Sequence, residues 1–265
     1  MTGGIGVTKI IVLDLDGTLL KDDKTVSDKT LKTLLECQEA GNILIFATAR
    51  APRDMSLYIP LPKELLNNPI ICYNGACIIE GGNFIYKKEI DKFDISKVLS
   101  GIKKVGEMQV CIEVNNRLFS NFDIRELLGD VEYQREDVYS LNIESAYKIM
   151  VGNTDGVKDE LFSVIPNSCK VYRTDNKTLF QIVNSEASKW TAIEYLLSKQ
   201  NISQQDVIAF GNDYNDIDMI TNAGTGVAMK NAIDELKAIA KFVTTESNND
   251  DGVSRFLQEN KELYY

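Results

Sequence analysis

The stretch from Lys9 to Thr18 reads KIIVLDLDGT. Its first half is a short, continuous, β-branched run, which is typical of a strand buried on both faces of a parallel sheet. The run ends in Asp14 and Asp16, whose carboxylates point the same way if the strand continues. Gly17 then lets the backbone turn. The stretch therefore predicts a buried strand that carries two acidic groups at its carboxyl end.

Two crowded carboxylates repel each other and are costly without a cation or a proton between them. A hard divalent cation suits the pair because it prefers oxygen ligands. A division of labour also suits it, with one carboxylate as nucleophile and the other as acid and base. A solvated acidic turn is the alternative when the pair is considered alone.

Strand and helix patterns alternate on both sides of this stretch. Ser27 predicts the N-cap of a helix that ends at Gly41, and the run at 43–47 predicts a second buried strand. The same βα pattern returns after residue 184, where Ser188 predicts another helix cap. Strand, helix and strand at this spacing form a βαβ unit, which places the strands parallel in one sheet.

The pattern of apolar and polar residues changes in the middle of the chain. Between residues 81 and 184 several strand-like runs alternate apolar and polar residues, as half-exposed antiparallel strands do. We therefore predict an α/β fold with two domains. The parallel-sheet core comprises residues 1–80 and 185–265, and it is interrupted by an inserted α/β domain at residues 81–184.

Composition excludes several classes of function. The chain has 265 residues with 44% hydrophobic and 26% charged side chains, as ordinary globular proteins do. Its 29 basic and 39 acidic residues give a net charge of −10, which argues against nucleic acid as a partner. No apolar stretch predicts a membrane span, and no signal peptide is evident. With no histidine, mechanisms that use a histidine base or histidine-bound zinc are excluded.

The five cysteines are read as small buried hydrophobic side chains in a reducing compartment, since their number is odd and none forms a C-x-x-C pair. We therefore expect a cytoplasmic protein without membrane partners. A monomer or a small homo-oligomer is expected.

Polar residues follow three further predicted elements of the core. Thr48 and Ala49 come after the second strand, where a hydroxyl and a backbone amide suit a phosphate oxygen. Lys189 opens a helix, and its charge opposes the helix dipole unless an anion lies between them. The loop GNDYND at residues 211–216 supplies oxygen ligands after another strand. A helix cap at Thr48, a solvated lysine and a capping loop are the respective alternatives.

In this order the residues resemble the four motifs of the haloacid-dehalogenase superfamily of phosphohydrolases. DLDGT at residues 14–18 resembles the first motif, residues 48–50 the second, Lys189 the third and residues 211–216 the fourth. Three further segments and the large inserted cap are similar to the Cof-type subfamily; the segments are Asn74-Gly75-Ala76, GVAMKNA at 226–232 and Asp251-Gly252-Val253. The resemblance implies a Rossmann-like core and a cap that closes over the active site and selects the substrate.

The resemblance also implies a mechanism and a set of site residues. Asp14 attacks the phosphorus of a phosphomonoester and becomes an aspartyl-phosphate, while Asp16 serves as acid and then as base. The cofactor implied is Mg²⁺, held by the Asp14 carboxylate, the Asp16 backbone carbonyl and the Asn212 side chain, with two supporting residues, Asp213 and Asp216. The phosphoryl oxygens are held by Thr48, Ala49, Lys189 and Asn215.

Two residues depart from the family pattern. Ala49 stands where the second motif commonly has glycine, and Asn212 stands where the fourth motif commonly has an aspartate ligand. An amide oxygen still ligates Mg²⁺, but one negative charge is lost. We therefore expect weaker metal binding.

The expected function is Mg²⁺-dependent hydrolysis of a small phosphorylated metabolite, with sugar phosphates as the expected class. One alternative is a phosphosugar mutase, which requires the cap to exclude water from the aspartyl-phosphate. The other is a catalytically weak or inactive metabolite-binding regulatory protein, through the change at Asn212. Polar cap residues are expected to contact sugar hydroxyls, with ordinary surface as the alternative; examples are Glu113, Asn115, Arg117 and Tyr172.

Overall fold

The structure is a computed structural model that describes residues 8–57, 59–129, 131–152, 158–174 and 179–265. Within these residues the strands are β1 (Ile10–Asp14), β2 (Ile43–Ala47), β3 (Ile70–Cys72), β4 (Cys77–Glu80), β5 (Asn83–Lys87), β6 (Ile90–Asp91), β7 (Gln109–Val114), β8 (Arg117–Ser120), β9 (Gln134–Arg135), β10 (Ser145–Ala146), β11 (Lys148–Gly152), β12 (Cys169–Thr174), β13 (Leu179–Asn184), β14 (Val207–Gly211), β15 (Thr225–Ala228) and β16 (Phe242–Val243). The α-helices are α1 (Asp28–Glu39), α2 (Pro52–Leu57), α3 (Lys63–Leu66), α4 (Lys92–Val105), α5 (Arg125–Leu128), α6 (Lys158–Val164), α7 (Lys189–Gln200), α8 (Ile217–Asn222), α9 (Asp234–Ile239) and α10 (Gly252–Glu259).

The larger sheet has the order β16-β15-β14-β1-β2-β3-β4-β5. From β16 to β3 every neighbouring pair is parallel, and β4 joins β3 antiparallel. The chain proceeds from β1 through β2 to β3 on one side and from β14 through β15 to β16 on the other. The direction of travel therefore reverses between β1 and β14. In open α/β sheets a ligand site forms outside the carboxyl ends of the strands at such a point.

Strand β1 confirms the prediction made from its sequence. All five of its residues are buried, as a β-branched run in the centre of a parallel sheet should be. Its register pairs Leu13 with Phe46 on β2 and with Phe210 on β14. The predicted α/β fold with a Rossmann-like parallel sheet is confirmed, and Asp14 ends the central strand.

Two predicted helix caps are also confirmed. The Ser27 side chain accepts a hydrogen bond from the Thr30 backbone at the start of α1. Ser188 forms a capping box with Thr191 at the start of α7, which satisfies two backbone N–H groups reciprocally. The second cap fixes the position from which Lys189 projects.

The chain divides into two compact units, one formed by residues 1–86 with 188–265 and the other by residues 87–187. The second unit contains a sheet with the order β12-β13-β11-β7-β8-β9, which is antiparallel except at the β8–β9 pair. Its main core lies where α4 and α6 pack against residues such as Ile112, Ile149 and Phe180. The interpretation of an inserted segment as the substrate-specificity cap stays a prediction.

Strand β5 differs from its predicted place. From the sequence, residues 84–86 are predicted to belong to the inserted domain, because the residue pattern changes at Gly81. The structure instead places β5 beside β4 at the edge of the larger sheet. Gly81 and Gly82 have φ values of 54° and 80° and supply the turn between these strands. The glycines that suggested a domain boundary in the sequence form the turn between β4 and β5.

Two properties of the described residues bear on the predictions from composition. The five cysteines are all buried. Among the residues described, no helix combines the length and apolar character that crossing a membrane requires.

Candidate active site

Lys189 lies between two buried carboxylates at the carboxyl edge of the larger sheet. Its Nζ is 2.6 Å from Oδ1 of Asp14 and 2.6 Å from Oδ1 of Asp216. All three side chains are buried. Because Asp14 ends β1, Lys189 begins α7 and Asp216 follows β14, the trio joins three separate elements of the core.

The start of α7 is held against a turn that follows β3. Gly75 has a φ of 94°, and a Cβ there would lie 1.9 Å from the backbone oxygen of Ser188. Only glycine allows this approach, which brings the helix start and Lys189 to the edge of the sheet. This close approach explains why the Asn74-Gly75-Ala76 segment has a glycine at its centre.

Burial and charge change the pKa values of this trio. Burial and the Asp216 charge together raise the pKa of Asp14 to about 7, against the opposing effect of Lys189. For Lys189, burial acts to lower the pKa, but the two carboxylates outweigh it and raise the pKa above its usual value. Lys189 is therefore a cation at neutral pH.

Asp216 orients the loop that follows β14. Its Oδ2 accepts hydrogen bonds from the backbone N–H groups of Asn212 at 2.8 Å and Asp213 at 3.1 Å. Its Oδ1 is bonded to Lys189, so the described contacts use both carboxylate oxygens. The Asp213 carboxylate accepts from the Tyr214 backbone at 2.8 Å and caps the following turn. Both acidic residues thus shape the loop that presents Asn212.

The Asn212 amide lies between Asp14 and the turn after β1. With Oδ1 inward, this oxygen is 3.1 Å from Oδ2 of Asp14 and 3.0 Å from the backbone oxygen of Asp16. In that orientation the Thr18 hydroxyl donates to it at 3.0 Å. With the amide reversed, Nδ2 donates to the same oxygens of Asp14 and Asp16. Oδ1 faces inward if a cation joins it to the oxygens of Asp14 and Asp16, whereas Nδ2 faces inward if it donates hydrogen bonds to them.

The oxygen-inward orientation fits a Mg²⁺ ion. Adjacent ligands of an octahedron with bonds of about 2.1 Å are about 3.0 Å apart, and the Asn212 oxygen lies at about this distance from each of the other two. The set consists of one carboxylate, one backbone carbonyl and one amide. Among the described residues, no group of three or more histidine, cysteine or acidic side chains could hold a metal. The set of one carboxylate, one carbonyl and one amide is of a different kind. The oxygens of Asp14, Asp16 and Asn212 therefore suit a hard cation.

Asp16 has a different environment from Asp14. Its carboxylate is 37% exposed and receives a two-point contact from Arg50, with Nε at 2.6 Å and the second nitrogen at 2.7 Å. Lys24 donates to it at 2.8 Å. Burial acts to raise the pKa of Asp16, but the hydrogen bonds and charges of Arg50 and Lys24 outweigh it and hold that pKa below its usual value.

The predicted phosphate-binding residues follow β2 and β14. Thr48 is buried, and its Oγ1 accepts a hydrogen bond from the Arg50 backbone at 3.1 Å, which leaves its own proton to donate. Asn215 donates to Oδ1 of Asn74 at 3.0 Å. The Asn74 backbone N–H in turn donates to the Thr48 carbonyl at 3.0 Å. One chain of hydrogen bonds therefore joins the second and fourth motifs.

A sequence profile of haloacid dehalogenase-like hydrolases matches residues 11–257. The chain belongs to this family. Its relatives are named as phosphatases of phosphorylated small molecules, and the chain is a phosphatase of this family.

Two relatives and one solved structure illustrate the family. The 5-amino-6-(5-phospho-D-ribitylamino)uracil phosphatase YitU of Bacillus subtilis (strain 168) is 30% identical over 276 residues, covering 94% of this chain and 96% of YitU. The pyridoxal phosphate phosphatase YbhA of Escherichia coli (strain K12) is 26% identical over 275 residues, covering 94% and 97%. The HAD subclass IIB sugar phosphatase BT4131 shares the fold, with a TM-score of 0.83 at 22% identity over 95% of this chain and 98% of its own.

Within this hydrolase fold the structure brings together Asp14, Lys189, Asn212 and Asp216, and it places Asp16 and Thr48 at the same edge of the sheet. Their chemical roles stay predictions. Ala49, which replaces the common glycine, is not among the described residues with positive φ. Its methyl group therefore requires no strained backbone.

Sequence reasoning missed several contacts around the two aspartates. Arg50 is part of the quoted second motif, yet its ion pair with Asp16 is not predicted, and Lys24 has no signal beyond a polar turn. Asn74 is noticed only as part of a turn.

In the second unit, Glu113 is buried on β7 opposite Lys148 on β11. Asn115 has a φ of 49° in the turn between β7 and β8. Whether either residue binds a substrate stays a prediction.

Proposed function

We propose that this phosphatase is a Mg²⁺-dependent phosphomonoesterase that works through an aspartyl-phosphate on Asp14, and that its substrate is a sugar or polyol phosphate. The observation that carries the proposal is the placement of Asp14. One of its oxygens contacts Lys189, and the other lies 3.1 Å from the Asn212 amide, which itself lies 3.0 Å from the Asp16 backbone oxygen. A carboxylate held in this way has one oxygen for attack and one for a cation.

The chain's own residues account for both halves of the reaction. Oδ1 of Asp14 attacks phosphorus as the bond from phosphorus to the leaving oxygen breaks, and Asp16 gives its proton to that oxygen. Asp16 then takes a proton from water as the water oxygen attacks the aspartyl-phosphate. This step releases inorganic phosphate and restores Asp14. Mg²⁺, when bound, supplies positive charge that offsets the charge of the transferring group.

Phosphoryl oxygens in this proposal are held by Lys189, the Thr48 hydroxyl, the Ala49 backbone and the Asn215 side chain. Donors fixed before the reaction stabilise the transition state because they need no reorganisation as charge develops. Lys189 is fixed by two carboxylates, and Asn215 by Asn74. We assign substrate selection to the second unit.

The preference for a sugar or polyol phosphate is supported by two names among the similar proteins. YitU acts on a phosphoribitylamino compound, and BT4131 is a sugar phosphatase. YbhA acts on pyridoxal phosphate, so the substrate panel must include an aromatic phosphate. Product analysis also distinguishes hydrolysis from the mutase alternative, since a mutase returns an isomerised sugar phosphate instead of free phosphate.

The test measures phosphate release from p-nitrophenyl phosphate with Mg²⁺ and after chelation, in the wild type and in Asp14→Asn. We expect metal-dependent release that the substitution abolishes. Release that persists in Asp14→Asn would contradict the nucleophile assignment. No release from p-nitrophenyl phosphate or from a panel of sugar phosphates, with Mg²⁺ or other metals, would favour the metabolite-binding alternative.

A further inference from the structure

Two asparagines from other loops hold the segment that follows Asp16. Asn231 comes after β15, and its Nδ2 donates to the backbone oxygen of Gly17 at 2.8 Å. Asn248 comes after β16, and its Nδ2 donates to the backbone oxygen of Leu20 at 2.9 Å. The two contacts tie the turn after β1 to the far side of the larger sheet.

The two asparagines are also joined to each other. Oδ1 of Asn231 accepts from the backbone N–H of Asn248 at 3.1 Å. Only a side chain with both a donor and an acceptor bridges a carbonyl and an N–H in this way, and carboxamides have both. Asn248 is buried, and it reaches Oδ1 of Asp22 at 3.0 Å as well. We call Asn231 and Asn248 the asparagine clamp.

The clamped turn has little freedom to move without disturbing the site. Gly17 has a φ of 78°, and a Cβ there would lie 2.4 Å from Nδ2 of Asn212. The next residue, Thr18, bonds the same Asn212 side chain. A shift of Gly17 therefore changes the position of the Asp16 backbone and of its carboxylate.

We propose that the asparagine clamp positions Asp16 for proton transfer to the leaving oxygen. This rests on the proposed function, in which Asp16 is the acid. Asn231 and Asn248 are positioning residues, because they act on Asp16 through the backbone of residues 17–20. The proposal gives a role to the GVAMKNA segment, which the phosphoryl-transfer steps do not use.

The test compares two aryl phosphates that need different help from an acid. The p-nitrophenolate group leaves without a proton, whereas the phenolate of phenyl phosphate is a poorer leaving group that benefits from one. In Asn231→Ala we expect kcat/KM for phenyl phosphate, which reports the steps up to departure of the leaving group, to fall about fivefold, the effect of one lost hydrogen bond of about 1 kcal/mol. We expect kcat/KM for p-nitrophenyl phosphate to stay within about twofold.

Three further variants complete the design. Asn231→Asp keeps the oxygen that accepts from Asn248 but places a carboxylate against the Gly17 carbonyl. It should therefore slow phenyl phosphate relative to p-nitrophenyl phosphate at least as strongly as Asn231→Ala does. Asn249→Ala is the matched control, because this exposed carboxamide contacts Asp22 and leaves the Gly17 bond intact. It should leave the ratio of the two rates unchanged. Asp16→Asn removes the acid itself, so it should show the largest change in the ratio of the rates on the two substrates.

The outcomes separate the two proposals. Equal loss on both substrates in Asn231→Ala would show a merely structural role and overturn the clamp proposal. No discrimination in Asp16→Asn would overturn the acid role in the proposed function. Discrimination in Asp16→Asn without any in Asn231→Ala or Asn231→Asp would reject the clamp and leave the proposed function standing.

Discussion

Asp14 and Asp16 are two residues apart, yet their surroundings have little in common. Asp14 is buried beside Lys189 and Asp216, which we call the buried side of the site. Asp16 is partly exposed and contacts Arg50 and Lys24, which we call the open side. Burial raises the pKa of Asp14, while Arg50 and Lys24 outweigh the effect of burial and lower that of Asp16. Neighbouring carboxylates acquire different chemistry from their environments, and acid and base roles are assigned from such differences.

The two sides should also differ in how much stability is lost when their cation is removed. A buried ion pair that loses one partner leaves an uncompensated charge, whereas an exposed pair is screened by water. The buried side should therefore carry the stability of the site, and the open side its adjustable proton transfer.

The largest expected effect comes from removing a cation on each side. Lys189→Met leaves Asp14 and Asp216 facing each other, and should lower the free energy of unfolding by about 3–5 kcal/mol. Lys24→Met, the matched control on the open side, should cost about 1 kcal/mol or less. Chemical denaturation of the metal-free proteins measures both. Equal losses in the two variants would remove the distinction between the sides.

The second effect concerns the open side and pH. Arg50→Met removes the main group that lowers the pKa of Asp16, so this pKa should rise. If Asp16 is the acid, the high-pH decline of kcat/KM for phenyl phosphate should move to higher pH. Each unit of movement is about a tenfold change in rate on that limb. Lys24→Met should move the limb in the same direction by less, and an unmoved profile in both variants would contradict the acid assignment.

The third effect joins the two sides at Asn212. Asn212→Asp adds a negative charge beside Asp14 and the Asp16 carbonyl, so Mg²⁺ should bind more tightly. We expect the Mg²⁺ concentration for half-maximal activity to fall more than about threefold. Thermal unfolding provides a second reading, since Mg²⁺ should stabilise the variant more than the wild type. A smaller improvement would mean that the amide costs the site little.

The smallest effect is expected beside Thr48. Ala49→Gly restores the residue that the family commonly has, but the backbone at Ala49 needs no positive φ. Activity should change less than about twofold, and the added chain entropy should cost about 0.5–1 kcal/mol of stability. Phosphate release and thermal unfolding check the two parts. A large gain in activity would show that the methyl group obstructs the phosphate.

The parts of the fold that sequence predicts are those set by local pattern. The short apolar runs of β1, β2 and β14 each form a buried strand, and the caps at Ser27 and Ser188 begin the expected helices. The membership of β5 in the larger sheet was not predicted, because pairing of an exposed edge strand leaves no hydrophobic signature. Its place depends on the turn geometry of two glycines.

For the site, sequence predicts which residues meet but gives little about their contacts. Asp14 and Lys189 are found because strand ends and helix starts share an edge of the sheet. The Arg50–Asp16 pair joins residues 34 apart, and the Asn231–Gly17 bond joins residues 214 apart. Such contacts depend on side-chain conformations and loop paths, which no local pattern specifies.

The central position of β1 has a consequence for the order in which the protein is made. Asp14 precedes its partner Lys189 by 175 residues. At about 5–20 residues per second, roughly 9–35 s of translation separate them. During that interval β1 can pair with β2, but β14 has not left the ribosome. Residues 87–187 form a continuous compact unit and are complete earlier. The inserted unit can therefore fold first, while the nascent core waits for the last third of the chain to close around Asp14.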